Sequence, residues 1–247
     1  MADAIARSWE VFWGLLDPWL FMSKSAATFP GTVISLLRER NFRVLFSPSR
    51  LQGAWFSRFF GWAGPNVKEN GAPSIIPLLE GRTTGGRVVD EAVGPGIGGT
   101  VLEIGAGAGF WVSIFSNKHL HEGQNEGSAG DAAPKSRRQE ITRVYGVEPN
   151  PDQHPNLRRH IKEADMEDIY QIAPVGVEDL DNPQKWDGHI GKGSVDCIVS
   201  ILCLCNIPDP EKNIKELHSY LKEGGRWYIY EHVKCEHSLF MRVYQRK

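Results

Sequence analysis

Residues 101–109 read Val-Leu-Glu-Ile-Gly-Ala-Gly-Ala-Gly, an apolar run around Glu103 that breaks into Gly105, Gly107 and Gly109. A loop of this kind keeps side chains away from its backbone, so its amide hydrogens can bond a small ligand. A helix started by the next residues would aim its positive end at the same place. A dinucleotide-binding loop reads G-x-G-x-x-G, with the third glycine letting helix and strand pack closely. Here the residue three after Gly107 is Phe110 and the last glycine comes one position early, which argues against a nicotinamide cofactor. Further reactive side chains lie downstream. Residues 143–147 form a second apolar run that ends in Glu148-Pro149-Asn150. An acid at the tip of the second strand of a doubly wound sheet is placed to accept hydrogen bonds from ribose hydroxyls. Cys205 and Asn206 follow a third apolar run, and Glu231 and His232 lie near the end of a fourth.

These side chains need elements to hold them, and the pattern supplies an alternation of strands and helices. Residues 194–205 are almost continuously apolar, as a parallel strand covered on both faces should be. Residues 211–221 carry Ile214, Leu217 and Leu221 at helical spacing and run into Lys222-Glu223-Gly224-Gly225, which reads as a helix stop. Residues 226–233 supply another strand. The order strand, glycine loop, helix, strand with acid, helix, strand, helix, Gly-Gly, strand implies an α/β fold with a parallel, Rossmann-like sheet. The interval from Gly105 to Glu148 exceeds the about 20 residues usual between such positions. Residues 118–140 account for the excess, because His121-Glu-Gly-Gln-Asn-Glu-Gly-Ser-Ala-Gly has almost nothing to bury and reads as a mobile surface insertion.

The set as a whole resembles the class I S-adenosylmethionine (SAM) methyltransferases. It is most similar to the ubiquinone and menaquinone biosynthesis type, and within that to thiol methyltransferase-like proteins and fungal small-molecule methyltransferases. The carriers are Glu103-Ile-Gly-Ala-Gly-Ala-Gly109, Glu148-Pro-Asn150, Val195-Asp196, Ile207-Pro-Asp-Pro210, Leu221-Lys-Glu-Gly-Gly225 and Glu231-His-Val233. They cover residues 97–235. The resemblance implies SAM as cofactor, held by Glu103, Gly105, Ala106, Gly107 and Gly109, with Glu148, Pro149 and Asn150 on the ribose. Many relatives place an acid-Ala pair after the third strand to hold the adenine amino group. The matching stretch here is Val175-Gly176-Val177-Glu178, so adenine recognition is expected from backbone near Val177, helped by Glu178. The family fold also continues past the fifth strand with a helix and two antiparallel strands. Only 14 residues follow Val233, which leads us to expect those two strands to be lacking and the fifth strand to form an edge open to homodimer formation.

The implied reaction is methyl transfer to an O, N or S atom of a small, lipophilic acceptor, with a place in secondary metabolism. Holding nucleophile and methyl in line at about 3 Å removes much of the entropic barrier, and a base is needed only if the acceptor must lose a proton. His232 is the preferred general base because imidazole titrates nearest neutrality; a hydrogen-bonded strand-end residue is the alternative. Cys205 stands where the quinone-type relatives often carry histidine. It reads either as a catalytic thiol or as a small apolar filler. His154 and His160 read as solvated helix residues. Glu103, costly to bury alone, is expected to pair with the SAM ammonium or the loop amides. A SAM-binding scaffold without turnover is the competing reading.

The first 96 residues differ in character and are read as a separate helical cap ahead of a SAM-binding domain over 97–247. Trp9, Trp13, Trp19, Phe21, Trp55 and Trp62 are among many aromatics before residue 63, interleaved with Arg38, Arg40, Arg43, Arg50 and Arg58. Two readings stand: a cap whose aromatics pack on the sheet over the substrate pocket, or a peripheral anchor whose Trp and Arg residues sit at a lipid interface. Asp17-Pro18 interrupts residues 11–22, too short a run for the about 20 apolar residues of a spanning helix. Asp3, Arg7 and Glu10 do not fit a cleavable signal. A net charge of -2 favours neither nucleic acid nor anionic partners globally. The four cysteines, Cys197, Cys203, Cys205 and Cys235, match neither a zinc site nor a disulfide framework, so no metal is expected. Reduced thiols suit a cytoplasmic protein, with contact to an intracellular membrane as its second habitat.

Overall fold

The computed structural model describes residues 2–118, 137–233 and 239–244. The chain divides into two compact units, Ala63–Glu231 and Met1–Trp62 with His232–Lys247. Helices α1 (Ala2–Arg38), α2 (Phe42–Leu45) and the first half of α3 (Pro48–Leu79) build the smaller unit, together with the short α6 (Leu239–Tyr244). The larger unit begins at Ala63 rather than at residue 97. The reason is packing: Ile75 and Leu79, at the end of α3, are buried with Ile97 and Val101 in one core cluster.

In the larger unit, β3 (Gly99–Ile104), β4 (Ile141–Val147), β5 (Tyr170–Ala173), β6 (Val195–Ile201) and β7 (Leu221–Tyr230) form one sheet in the order β5-β4-β3-β6-β7. All four pairings are parallel. This is the Rossmann-like α/β architecture the alternating pattern implies, with the strand order reversing beside β3. A separate two-residue hairpin, β1 (Thr83–Thr84) with β2 (Arg87–Val88), precedes it.

Alternation along β3 and β6 sends successive side chains to opposite faces. Val101, Cys197 and Val199 join Leu157 and Ile161 of α4 (His154–Glu163) on one face. Leu102, Ile104 and Ile198 join Leu217 and Tyr220 of α5 (Pro210–Tyr220) on the other. A sheet covered on both faces is why its central strands are nearly continuously apolar.

Three local expectations are corrected. The segment after the glycine loop forms a single 3-10 turn, Val112–Phe115, in place of a longer helix, and residues 119–136 lie outside the described residues. Helix α5 stops at Tyr220, not at Gly224-Gly225. Those glycines sit inside β7, where Val195 faces Leu221 but Cys197 faces Arg226, so the extra residues bulge from the strand with Gly224 at φ +77. The end of the expected insertion is part of the fold: Gly96 N–H donates to Arg137 O and Gln139 N–H to Ile97 O, at 3.0 and 2.9 Å.

Candidate cofactor and acceptor site

The glycine loop leaves β3 at its carboxyl end, and Gly105 N–H and Ala106 N–H both donate to Val147 O, at 3.0 and 3.1 Å. That ties the loop to the tip of β4. Gly105, Gly107 and Gly109 all have positive φ, at 68, 55 and 86°. Their reasons differ. A Cβ on Gly105 would stand 2.5 Å from Cys203 Cβ, and one on Gly109 would stand 2.9 Å from Leu157 Cδ1. A Cβ on Gly107 would meet nothing nearer than Gly105 O at 3.8 Å. Two of the glycines are required by packing, and the middle one borders open space. Phe110, at the position of the missing third glycine, lies against Gly64 of α3, where even one extra carbon would strike its ring.

Glu148 is the brace of this loop. Its Oε2 accepts from Gly107 N–H and its Oε1 from Asn150 N–H, both at 2.8 Å. Asn150 in turn caps the short turn Pro151–Gln153 by accepting from Asp152 N–H at 3.1 Å. Pro149 joins these two anchored residues. Burial pushes the Glu148 carboxyl up, opposed by the two amide donors and by His154. A carboxylate has about four acceptor sites, so two amide bonds leave capacity for ligand hydroxyls.

The two histidines of α4 are not solvated bystanders. His154 is buried, with Nε2 donating to Glu148 O at 2.8 Å. His160 Nδ1 donates to Ala108 O at 2.7 Å, and its ring lies 5.3 Å from that of Phe110. One helix thus anchors both halves of the cradle, the loop and the acid. The signal was in the spacing: His154 lies three before Leu157 and seven before Ile161, on the buried stripe of α4.

Glu103 is 3 % exposed, and its partner is neither a loop amide nor an open ligand space but the hydroxyl of Tyr170, which donates to Oε2. Register explains the reach. Gly146 of β4 stands between them, paired with Glu103, and a Cβ there would strike the Tyr170 hydroxyl. Burial raises the Glu103 carboxyl to about 7, with Tyr170 holding it down and Glu148 pushing it up. After β5, Gly176 precedes the turn Val177–Asp179, with Val177 buried and Glu178 exposed. A Cβ on Gly176 would stand 2.5 Å from the Glu178 carboxylate, the far end of an exposed side chain that can turn aside.

At the ends of β6 and β7 the structure favours a different residue from the two the sequence singled out. Glu231 Oε1 accepts from Cys203 N–H and Leu204 N–H, at 3.0 and 3.1 Å, and so holds the turn Leu204–Asn206 that carries Cys205. Glu231 Oε2 is closed off from solvent and has no hydrogen-bond partner among the described residues. Cys205 is exposed, with its thiol pushed up by partial burial and by Glu231. His232 is exposed too. Among the described residues, no group of three or more His, Cys, Asp or Glu stands together to hold a metal.

The fold and the braced loop define a nucleotide-type cofactor site at the carboxyl end of a parallel sheet. Comparison with known proteins identifies it further: residues 78–244 match the methyltransferase domain family, and the chain belongs to that family. S-adenosyl-L-methionine is the cofactor the sequence resemblance implies, and the residues present fit it, with open space at Gly107 and spare acceptor capacity on Glu148. The chain is similar to human thiol S-methyltransferase TMT1A, 28% identical over 104 residues that are 42% of this chain and 40% of that protein. It thus spans about two fifths of that relative's length. Among solved structures, it is similar to a candidate SAM-dependent methyltransferase of Methanococcus maripaludis, at 19% identity and TM-score 0.42, covering 68% of this chain and 61% of that one. A SAM-dependent methyltransferase of Aquifex aeolicus is similar at 17% identity and TM-score 0.34, covering 64% of this chain and 66% of that one.

Proposed function

We propose that this chain transfers the methyl group of S-adenosyl-L-methionine to an O, N or S atom of a small, lipophilic acceptor. The observation that carries the reading is the bond from Gly107 N–H to Glu148 Oε2 at 2.8 Å, which sets a bare backbone beside a carboxylate with unused acceptor sites. The similarity to a thiol S-methyltransferase supports a small-molecule acceptor and puts thiols first among those to try.

When bound, the donor supplies an electrophilic methyl carbon on a sulfonium. The bare backbone of residues 105–109 lets its amino-acid end come close to the loop, and Glu148 holds the ribose hydroxyls. Val177, with Glu178 beside it, borders the adenine. The Glu103–Tyr170 pair fixes the base of the loop from the covered side of the sheet.

On the acceptor side, Glu231 is a better candidate base than His232 or Cys205. Its Oε1 is already fixed by two amides, so its Oε2 is pre-oriented, and a carboxylate with a free oxygen can take a proton from a hydroxyl or thiol. Cys205 then lines the acceptor space as a small apolar group.

The test is calorimetry with S-adenosyl-L-methionine, followed by transfer of labelled methyl to a panel of thiols, phenols and amines. Donor binding with turnover on at least one lipophilic member is the expected result. Donor binding without transfer to any acceptor makes the chain a cofactor-binding scaffold instead. Failure to bind the donor removes the reading altogether.

A further inference from the structure

Helix α1 carries two apolar faces, and only one of them is packed. On the packed face, Phe21 meets Phe59 with ring centroids 4.9 Å apart, Trp55 donates its indole N–H to Ser25 O at 2.9 Å, and Thr32 and Leu36 are buried. On the other face, Trp9, Trp13, Asp17, Leu20, Lys24, Gly31 and Arg38 succeed one another at intervals of three, four or seven residues. Those intervals are one and two helical turns, so the seven residues form one stripe along the helix. The stripe is open to solvent: Trp9, Trp13 and Leu20 are 56, 52 and 40% exposed. Gly31 opens a groove of about 500 Å³, and Arg58 reaches into it with Nη2 3.2 Å from where a Cβ on Gly31 would stand.

We propose that this stripe docks on the surface of a bilayer containing anionic phospholipid, with α1 lying in the headgroup plane. Several observations select that occupant. Among the described residues no helix is long and apolar enough to cross a membrane, so the exposed tryptophans do not belong to a spanning segment. Tryptophan and arginine on one face, with apolar side chains between them, is the composition of an interfacial helix. Charge agrees. Residues 1–62 hold seven basic and four acidic side chains, within a chain whose net charge is -2. Lipid phosphates answer Lys24, Arg38 and Arg58 together, three basic side chains against the single acid, Asp17, on the stripe. The guanidinium in the groove is suited to a headgroup phosphate, which it can meet through paired N–H donors.

The test is co-flotation of the full chain with vesicles of phosphatidylcholine alone and of phosphatidylcholine with about a third phosphatidylserine. The vesicles with phosphatidylserine should carry the protein, and high salt should release much of it. The double variant K24Q/R38Q should lower partition onto them about 30-fold, the effect of two basic residues at about 1 kcal/mol each. Trp13→Ser should lower partition onto both kinds of vesicle. Circular dichroism and donor calorimetry on each variant confirm that the fold and the cofactor site are intact. Absence of flotation by the unaltered protein overturns the proposal, as does binding that neither variant weakens. A dimer in solution that Trp13→Ser dissociates also overturns it, since a second copy would then cover the stripe.

Discussion

Gly107→Ala and Gly105→Ala make the same chemical change two residues apart, and the structure separates their outcomes. Both positions have positive φ, so each alanine costs about 1 to 2 kcal/mol in backbone strain. At Gly105 the new methyl would also stand 2.5 Å from Cys203 Cβ, and overpacking of that kind adds about 1 to 3 kcal/mol. At Gly107 the nearest atom is 3.8 Å away, so strain is the whole cost to folding. The open space at Gly107 is where the donor must approach the loop. A methyl there that breaks one hydrogen bond between the loop and a charged ligand costs about 2 kcal/mol, or about 30-fold in affinity. Urea denaturation and calorimetry with S-adenosyl-L-methionine, run on both variants, read the two effects independently. Gly105→Ala should be the less stable protein, and Gly107→Ala should fold nearly normally yet bind the donor at least about 30-fold more weakly. If Gly107→Ala binds the donor as tightly as the unaltered chain, the loop does not cradle it and the site assignment fails.

Tyr170→Phe removes the only hydroxyl donating to Glu103 among the described residues, and its effect should depend on pH. The folded carboxyl titrates at about 7 against an ordinary 4.5, so the native state holds the proton more tightly. The stability that Glu103 contributes is therefore complete below about pH 4.5 and is lost, by about 3 kcal/mol, as pH rises through 7. Tyr170 bonds the ionised form more strongly than the neutral one. The destabilisation by Tyr170→Phe should thus grow by about 1 to 2 kcal/mol between pH 5 and pH 8, as urea titrations would show. Equal destabilisation at both values would mean that the hydroxyl does not serve the carboxylate. Glu148→Gln trades one acceptor oxygen for a donor facing an amide, and donor affinity measured by calorimetry should fall about tenfold. Glu231→Gln keeps an oxygen for the Cys203 and Leu204 amides but loses the base, so kcat should fall at least about 100-fold while KM for the donor stays unchanged. His232→Gln should leave both nearly as they are, and the reverse ranking of these two variants would return the role to His232.

How much the chain reveals on its own depends on how far apart the interacting residues lie. The strand and loop at 101–109 carry their meaning in adjacent residues, and β4, β6 and α5 appear close to where periodicity puts them. The Gly224-Gly225 pair misled because a helix stop and a strand bulge ask for the same residue type; only the pairing of Cys197 with Arg226 tells them apart. The Glu103–Tyr170 contact was harder still, since it depends on the register of three strands. Yet it left a trace, because a glycine inside a strand marks a close approach, and Gly146 lies directly between the two. The same reasoning bears on the acceptor side. His232 attracted attention through its intrinsic pKa, a property of the residue alone. Glu231 gains its standing from two amides 27 and 28 residues away that become its neighbours only when β6 and β7 pair. A side chain fixed by such long-range bonds is oriented before any ligand arrives, and that pre-orientation, more than intrinsic basicity, suits Glu231 to accept a proton in line with methyl transfer.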